Sequence, residues 1–157
     1  MLPAAGEFHL DCVNPATGLA TDYLNHFNEA IMLLDMLAQC PDLRDDFLSW
    51  TPMGYREHFA ASRLKDREAM IAAYDHADPQ ARRNLEALAS AMTTMLEATR
   101  IALRSAPPSA ETATIAQHIV AMLKPLIARA GAVINGAASD RADEPTPQAV
   151  VDRLMVR

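Results

Sequence analysis

The sequence predicts an all-α protein, and three observations support this class. Half of the 157 residues are hydrophobic but only 5% are aromatic, so alanine, leucine and methionine fill most apolar positions and favour helices. Apolar residues recur at spacings of three and four along much of the chain. The 5 glycines lie mostly outside these periodic stretches. We therefore expect four long helices in an antiparallel up-down bundle, with two short helices.

The chain is short enough to form a single domain. Within it, residues 1–17 are expected to be an irregular arm, residues 18–136 the helical bundle and residues 137–146 a polar linker. Residues 147–157 are expected to form a last short helix. Its Val150, Val151, Leu154 and Met155 are too apolar to remain in water, so they should dock on the bundle or on a second subunit.

The first long helix is predicted within residues 18–39, where Leu24, Phe27, Ile31 and Leu34 share one face. Beyond Glu29 nearly its whole circumference is apolar, which is typical of a helix buried on more than one side. The Cys40-Pro41 pair should end it, and a short helix is predicted over residues 41–50.

Paired capping signals mark the starts of the other three long helices. Thr51 and Asp78 each precede a proline, and Ser109 is followed at the right distance by Thr112. The first of these helices should be kinked near Ser62, where its apolar face drifts. The last should bend at Pro125, which removes a backbone donor. Asn135-Gly136 should cap its end.

The charge balance excludes several classes of partner. The net charge is −6 and the pI is about 5.3, which argues against binding nucleic acid or an anionic membrane surface. No apolar stretch is long enough to span a bilayer, and no secretory signal pattern opens the sequence. The 2 cysteines, Cys12 and Cys40, form no CxxC motif and no disulfide framework. We expect a cytoplasmic protein.

One strip of polar residues interrupts the apolar pattern of the first helix. Asp22, His26 and Glu29, at spacings of four and three, fall on one helical face. A second polar cluster, residues 55–58, follows later in the chain. We expect any ligand site to use these two clusters, and the candidate residues are Asp22, His26, Glu29, Tyr55 and His58.

Two interpretations of these clusters remain open. A ferritin-like or haemerythrin-like metal centre would use His26, Glu29, Glu57 and His58, but the sequence holds no Glu-x-x-His pair and its 5 histidines are scattered. Alternatively, the polar groups hydrogen-bond to each other and hold two helices in register. No cofactor is expected under this second interpretation, whereas the first requires a transition metal.

Catalytic patterns are otherwise absent from the sequence. Nucleophile triads, Gly-rich phosphate loops and the HExxH motif do not occur. A phosphotransfer role for His26 or His58 is disfavoured by the carboxylate of Glu29 near the first of them. A small-ligand pocket is a further hypothesis, with Trp50, Tyr55 and Arg56 at one interhelical corner.

The blocks GLATDYLNHFNEAIMLLDML and DFLSWTPMGYREHF resemble small bacterial α-helical proteins of unknown function, over about residues 17–78. The resemblance implies no site residue. Because the sequence holds no complete catalytic set and more apolar helix surface than one small bundle covers, including residues 150–155, we expect a non-enzymatic, homodimeric protein that acts through protein–protein contacts. The alternatives are the metal-binding bundle and a small-ligand sensor.

Overall fold

The computed structural model describes residues 12–137, and in this range the chain forms six α-helices. They are α1 (Leu24–Asp35), α2 (Leu43–Ser49), α3 (Tyr55–Ala61), α4 (Arg67–Asp75), α5 (Pro79–Ser105) and α6 (Ala110–Ile134). A 3₁₀ turn, Thr21–Tyr23, leads into α1. Residues 12–137 contain no β-strand beyond an isolated bridge between Val13 and Ala20. The all-α class is confirmed. The predictions for the terminal helix, residues 147–157, and for most of the linker lie outside the described residues.

Helices α5 and α6 form a hairpin, and local capping explains where each begins and ends. The Asp78 carboxylate accepts a hydrogen bond from the Ala81 N–H at 2.9 Å, with Pro79 as the first helical residue. The Ser109 hydroxyl accepts from the Thr112 N–H at 3.2 Å. Gly136, at φ +81°, follows the end of α6. Both predicted starts and the predicted end are confirmed.

Helix α6 packs against α1 as well as α5. The Gln117 side chain near the start of α6 donates a 2.7 Å hydrogen bond to the carbonyl of Asp35, the last residue of α1. At the other end, Leu24 packs on Gly131. Helix α1 is therefore antiparallel to α6.

The prediction of four long helices within residues 18–136 is wrong, because in the described part of the chain only α5 and α6, with 27 and 25 residues, are long. Helix α1 has 12 residues and is flanked by turns. The segment predicted as one helix over residues 52–77 forms α3 and α4, separated by residues 62–66. Helix α3 begins at Tyr55, three residues after Pro52, and Gly54 occupies its N-cap position. Ser62 is extended, so the chain leaves the helix where a kink was predicted.

Pro125 lies inside α6, which is continuous around it. The side chain is exposed, so the proline ring displaces no core group. The bend predicted at this position stays a prediction.

The end of α1 is buried on fewer sides than its composition suggests. Ile31 and Leu34 lie in the core, but Met32 and Met36 are 52% and 45% exposed. Helices α6 and α2 cover two sides of α1 and leave the methionine side open. The expectation that this part of α1 is buried nearly all round is therefore wrong.

The end of the predicted irregular arm is held firmly by Thr17. Its hydroxyl donates to the Ile134 carbonyl at 2.6 Å, and its own carbonyl accepts from the Asp78 N–H at 2.9 Å. These bonds join the end of α6 to the start of α5. Among the helices of residues 12–137, none combines the length and apolarity needed to cross a membrane.

Candidate functional site

The first half of α1 contacts the segment that joins α2 to α3. The indole N–H of Trp50 donates to the His26 carbonyl at 3.0 Å, and the Met53 N–H donates to the His26 Nε2 at 3.0 Å. Arg100 of α5 donates to the Trp50 carbonyl at 2.5 Å. The connecting segment is thus fixed from both sides, and His26 lies beneath it.

His26 is a buried, neutral imidazole. It is 4% exposed, and its ring stacks on Trp50 with a centroid distance of 4.6 Å. Burial, with a smaller effect of His58, lowers the pKa of His26 to about 4. Because Nε2 accepts the Met53 hydrogen bond, the ring proton is on Nδ1. Nε2, one of the two ring nitrogens that can bind a metal or attack a phosphoryl group, is therefore already engaged.

His58 lies beside His26 but has a different partner. The two ring centroids are 6.1 Å apart, and His58 Nε2 is 3.2 Å from Asp22 Oδ2. The other carboxylate oxygen of Asp22 accepts from the Asn25 side chain at 3.1 Å. Asp22, His26 and His58, which belong to the two polar clusters of the sequence, thus lie close together.

The predicted glutamates do not join this group. Glu29 is exposed on α1. Glu57 is also exposed, and its Oε1 accepts the Gly54 N–H at 3.3 Å, so it caps α3. Within residues 12–137, no three His, Cys, Asp or Glu side chains come together in an arrangement that could hold a metal ion. The geometry of His26, Glu29, Glu57 and His58 offers no support for a metal centre.

Tyr55 belongs to a cluster of three buried tyrosines. Its ring lies 5.1 Å from that of Tyr23 and stacks on that of Tyr74 at 4.3 Å. Its hydroxyl accepts the Ala20 N–H at 2.9 Å, while the Tyr23 hydroxyl donates to the Met53 carbonyl at 3.0 Å. Burial raises the pKa of Tyr55 to about 12 and that of Tyr74 to about 12. All of these groups remain protonated phenols near neutral pH.

The tyrosine cluster forms the floor of a groove of about 520 Å³ between α3 and α5, which we call the tyrosine groove. Arg56 lies at its edge, 5.0 Å from the centre of the Tyr74 ring, and pairs with Asp75. The facing wall from α5 supplies the hydroxyls of Ser90, Thr93 and Thr94. The predicted pocket residues Tyr55 and Arg56 do line a groove, whereas Trp50 is buried beside His26 and does not.

A second groove, of about 510 Å³, lies at the opposite end of the bundle and was not predicted from the sequence. It lies between the end of α1, the start of α2 and the α5–α6 connection; we call this region the α5–α6 end. Its lining is mainly apolar and includes Leu37, Pro41, Leu103, Pro108 and Ala113.

Arg44 of α2 holds the α5–α6 end together. Its guanidinium donates to the carbonyls of Leu103 and Ala106 at the end of α5, where the Leu103 carbonyl also accepts the Ala106 N–H at 3.4 Å. A cation at this position also stabilises the negative end of the helix dipole. The groove wall is therefore fixed by a polar contact beneath an apolar surface.

Four large apolar side chains are exposed at the α5–α6 end. Met32 lies in the last turn of α1 and Met36 directly follows that helix, Ile101 is 65% exposed near the end of α5, and Ile115 is 45% exposed near the start of α6. The fifth such side chain in the described part of the chain is Leu64, between α3 and α4. Ile101 lies off the buried stripe of α5, which is a sequence signal that could have indicated this surface.

Comparison with known proteins identifies no relative. No protein-family model matches the chain, and neither a curated protein nor a solved structure does. What the fold and the grooves define is an all-α protein with two candidate binding surfaces.

Proposed function

We propose that this protein is non-enzymatic and acts through protein–protein contacts, as a cytoplasmic homodimer. The observation that carries the proposal is the apolar groove at the α5–α6 end, together with the exposed apolar side chains on the helical turns nearest that end. Apolar grooves and exposed large apolar side chains are typical of interaction sites.

The environment of His26 supports the non-enzymatic part of the proposal. Its Nε2 is occupied by a backbone N–H and its ring is covered by Trp50. The Asp22–His58 contact joins the turn before α1 to α3. These groups contribute to the contact between α1 and the connecting segment, which accounts for the polar pattern without a substrate.

The oligomeric state tests the proposal. Size-exclusion chromatography with light scattering at tens of micromolar should give a mass of twice 17.1 kDa. Replacing Ile101 with aspartate should shift the protein to the monomer, because a charge buried without a partner in an apolar interface costs several kcal/mol. The matched control is Leu64→Asp, which places the same charge on an exposed apolar position away from the α5–α6 end.

Two results would contradict the proposal. One is a wild-type protein that runs as a monomer at this concentration. The other is an equal loss of dimer in the Ile101 and Leu64 variants, since this would show a general effect of charge. Circular dichroism of both variants separates loss of association from loss of folding.

A small-ligand sensor is the second candidate function, favoured by the tyrosine groove. Its volume of about 520 Å³ lies within the usual range for ligand pockets, and it combines aromatic rings with hydroxyl groups. A thermal-shift screen of polar aromatic metabolites tests it. A true ligand should raise the Tm of the wild type and have less effect on Thr93→Val, which removes one groove hydroxyl at constant shape. A screen in which no compound raises the Tm would reject this candidate.

A further inference from the structure

We propose that the apolar groove at the α5–α6 end receives the carboxyl-terminal segment, residues 147–157, of a second copy of this chain. The inference rests on the proposed homodimer and names the contact that forms it. Three arguments support it: the apolar pattern of the segment, the charge around the groove and the length of the connecting chain.

The segment has the pattern of a helix that binds in a groove. Val150, Val151, Leu154 and Met155 fall on one side of a helix, at the spacings used when an amphipathic helix lays its apolar face into an apolar groove. Arg153 and Arg157, four residues apart, flank that side, and with Asp152 they give the side chains of the segment a net charge of +1. This is the most apolar stretch of the chain outside the described residues that also carries two cations.

The charge around the groove complements such a segment. The α5–α6 end carries the carboxylates of Asp35, Asp42, Asp45, Asp46 and Glu111, against the guanidinium groups of Arg44 and Arg104. Arg44 is already engaged by two carbonyls. The region is therefore acidic, which disfavours contact between two identical ends and favours an apolar segment bearing arginines.

The length of the chain favours a second copy over the same copy. The described residues end at Ala137, next to the end of α6, whereas the groove lies at its start, about 32–36 Å away along the helix. Residues 138–146 span at most about 30–33 Å when fully extended. Docking within one chain would require this linker to be almost straight along the bundle. Docking on a second copy does not require an extended linker. Each copy can then place its residues 147–157 in the groove of the other.

Cross-linking tests the contact directly, because Cys40 is exposed and lies next to Pro41 of the groove. We would use the full chain with Cys12→Ser and Met155→Cys, treated with a short bis-maleimide. The expected product has twice the chain mass, and peptide mapping should join position 155 of one chain to Cys40 of another. Adding Cys40→Ser should abolish this link, and the protein with Cys12→Ser alone should not form it.

A pair of charge substitutions supplies an independent measurement. Leu154→Asp should raise the Kd of the dimer about tenfold or more, because a buried leucine contributes roughly 1.5–3 kcal/mol. Ala149→Asp, on the opposite side of the predicted helix, introduces the same charge and should change the Kd by less than about twofold.

The outcomes separate this inference from the proposed function. If the wild type is a dimer, but the Met155→Cys protein gives no link to Cys40 and Leu154→Asp leaves the Kd unchanged, the inference is overturned and the homodimer stands. A link found only within single chains would also overturn it, because the segment would then occupy its own groove. A wild-type monomer would overturn both.

Discussion

Acidification from pH 7 to pH 4 is expected to lower the free energy of unfolding by about 3 kcal/mol through His26 alone. The folded-state pKa of His26 is about 4, below the ordinary value of 6.5, because the ring is buried against Trp50. Above pH 6.5 the ring is neutral in both states, so it makes no pH-dependent contribution. Between pH 6.5 and pH 4 the unfolded chain binds a proton that the folded chain excludes, and stability falls. Below pH 4 the loss levels off.

Urea titrations followed by fluorescence would measure this effect, since Trp50 is the only tryptophan and stacks on His26. The control is His26→Gln, whose side-chain oxygen can accept the Met53 N–H but does not titrate. The variant should lose about 3 kcal/mol less than the wild type over the same pH range. Equal pH dependence in the two proteins would show that His26 is not the group responsible.

Gly18→Ala is expected to destabilise the protein by about 2–4 kcal/mol, through two separate costs. Gly18 has φ +78°, which is unfavourable for a residue with a Cβ. A Cβ here would also lie 3.1 Å from the Ala77 Cα and 3.2 Å from the Ala73 carbonyl oxygen. Both are backbone atoms, so the loop before α1 would have to move away from the end of α4.

Two other glycines separate these costs. Gly136 has φ +81°, but its nearest neighbour would be the Thr17 methyl at 3.9 Å, so Gly136→Ala should cost about 1 kcal/mol. Gly54 has a negative φ, and its substituted Cβ would meet only the flexible end of Glu57. Gly54→Ala should therefore cost only the poorer N-cap preference of alanine, about 0.5–1 kcal/mol. If Gly18→Ala cost no more than Gly136→Ala, the close approach to α4 would have no energetic importance.

Part of the candidate site was predictable because helical spacing is a local property. Asp22 and His26 were expected to share a face, and the second polar cluster was expected opposite them. The structure brings Asp22 to His58 and His26 to the Met53 backbone. Glu29 satisfies the same spacing rule but is exposed, because it lies at the edge of the face that α1 turns towards its neighbours.

The α5–α6 end was not predicted, because it is assembled from parts distant in the sequence. Met36 and Ile101 are ordinary apolar residues in their own helices. They come to the same end of the bundle only because α1 runs antiparallel to α6 and α5 turns into α6 at that end. The apolar composition after Glu29 suggested burial, whereas the missing neighbour on the methionine side left Met32 and Met36 exposed.

The sequence by itself determined the all-α class and the bounds of the α5–α6 hairpin. Those features depend on helix propensity and on caps such as Asp78 and Ser109, whose hydrogen bonds reach only three residues along the chain. Only the tertiary structure decided that His26 is buried and neutral, that residues 62–66 separate two helices and that an apolar groove opens beside Arg44. The reason is physical: burial and exposure depend on which helices become neighbours, and a local pattern carries no information about its partner.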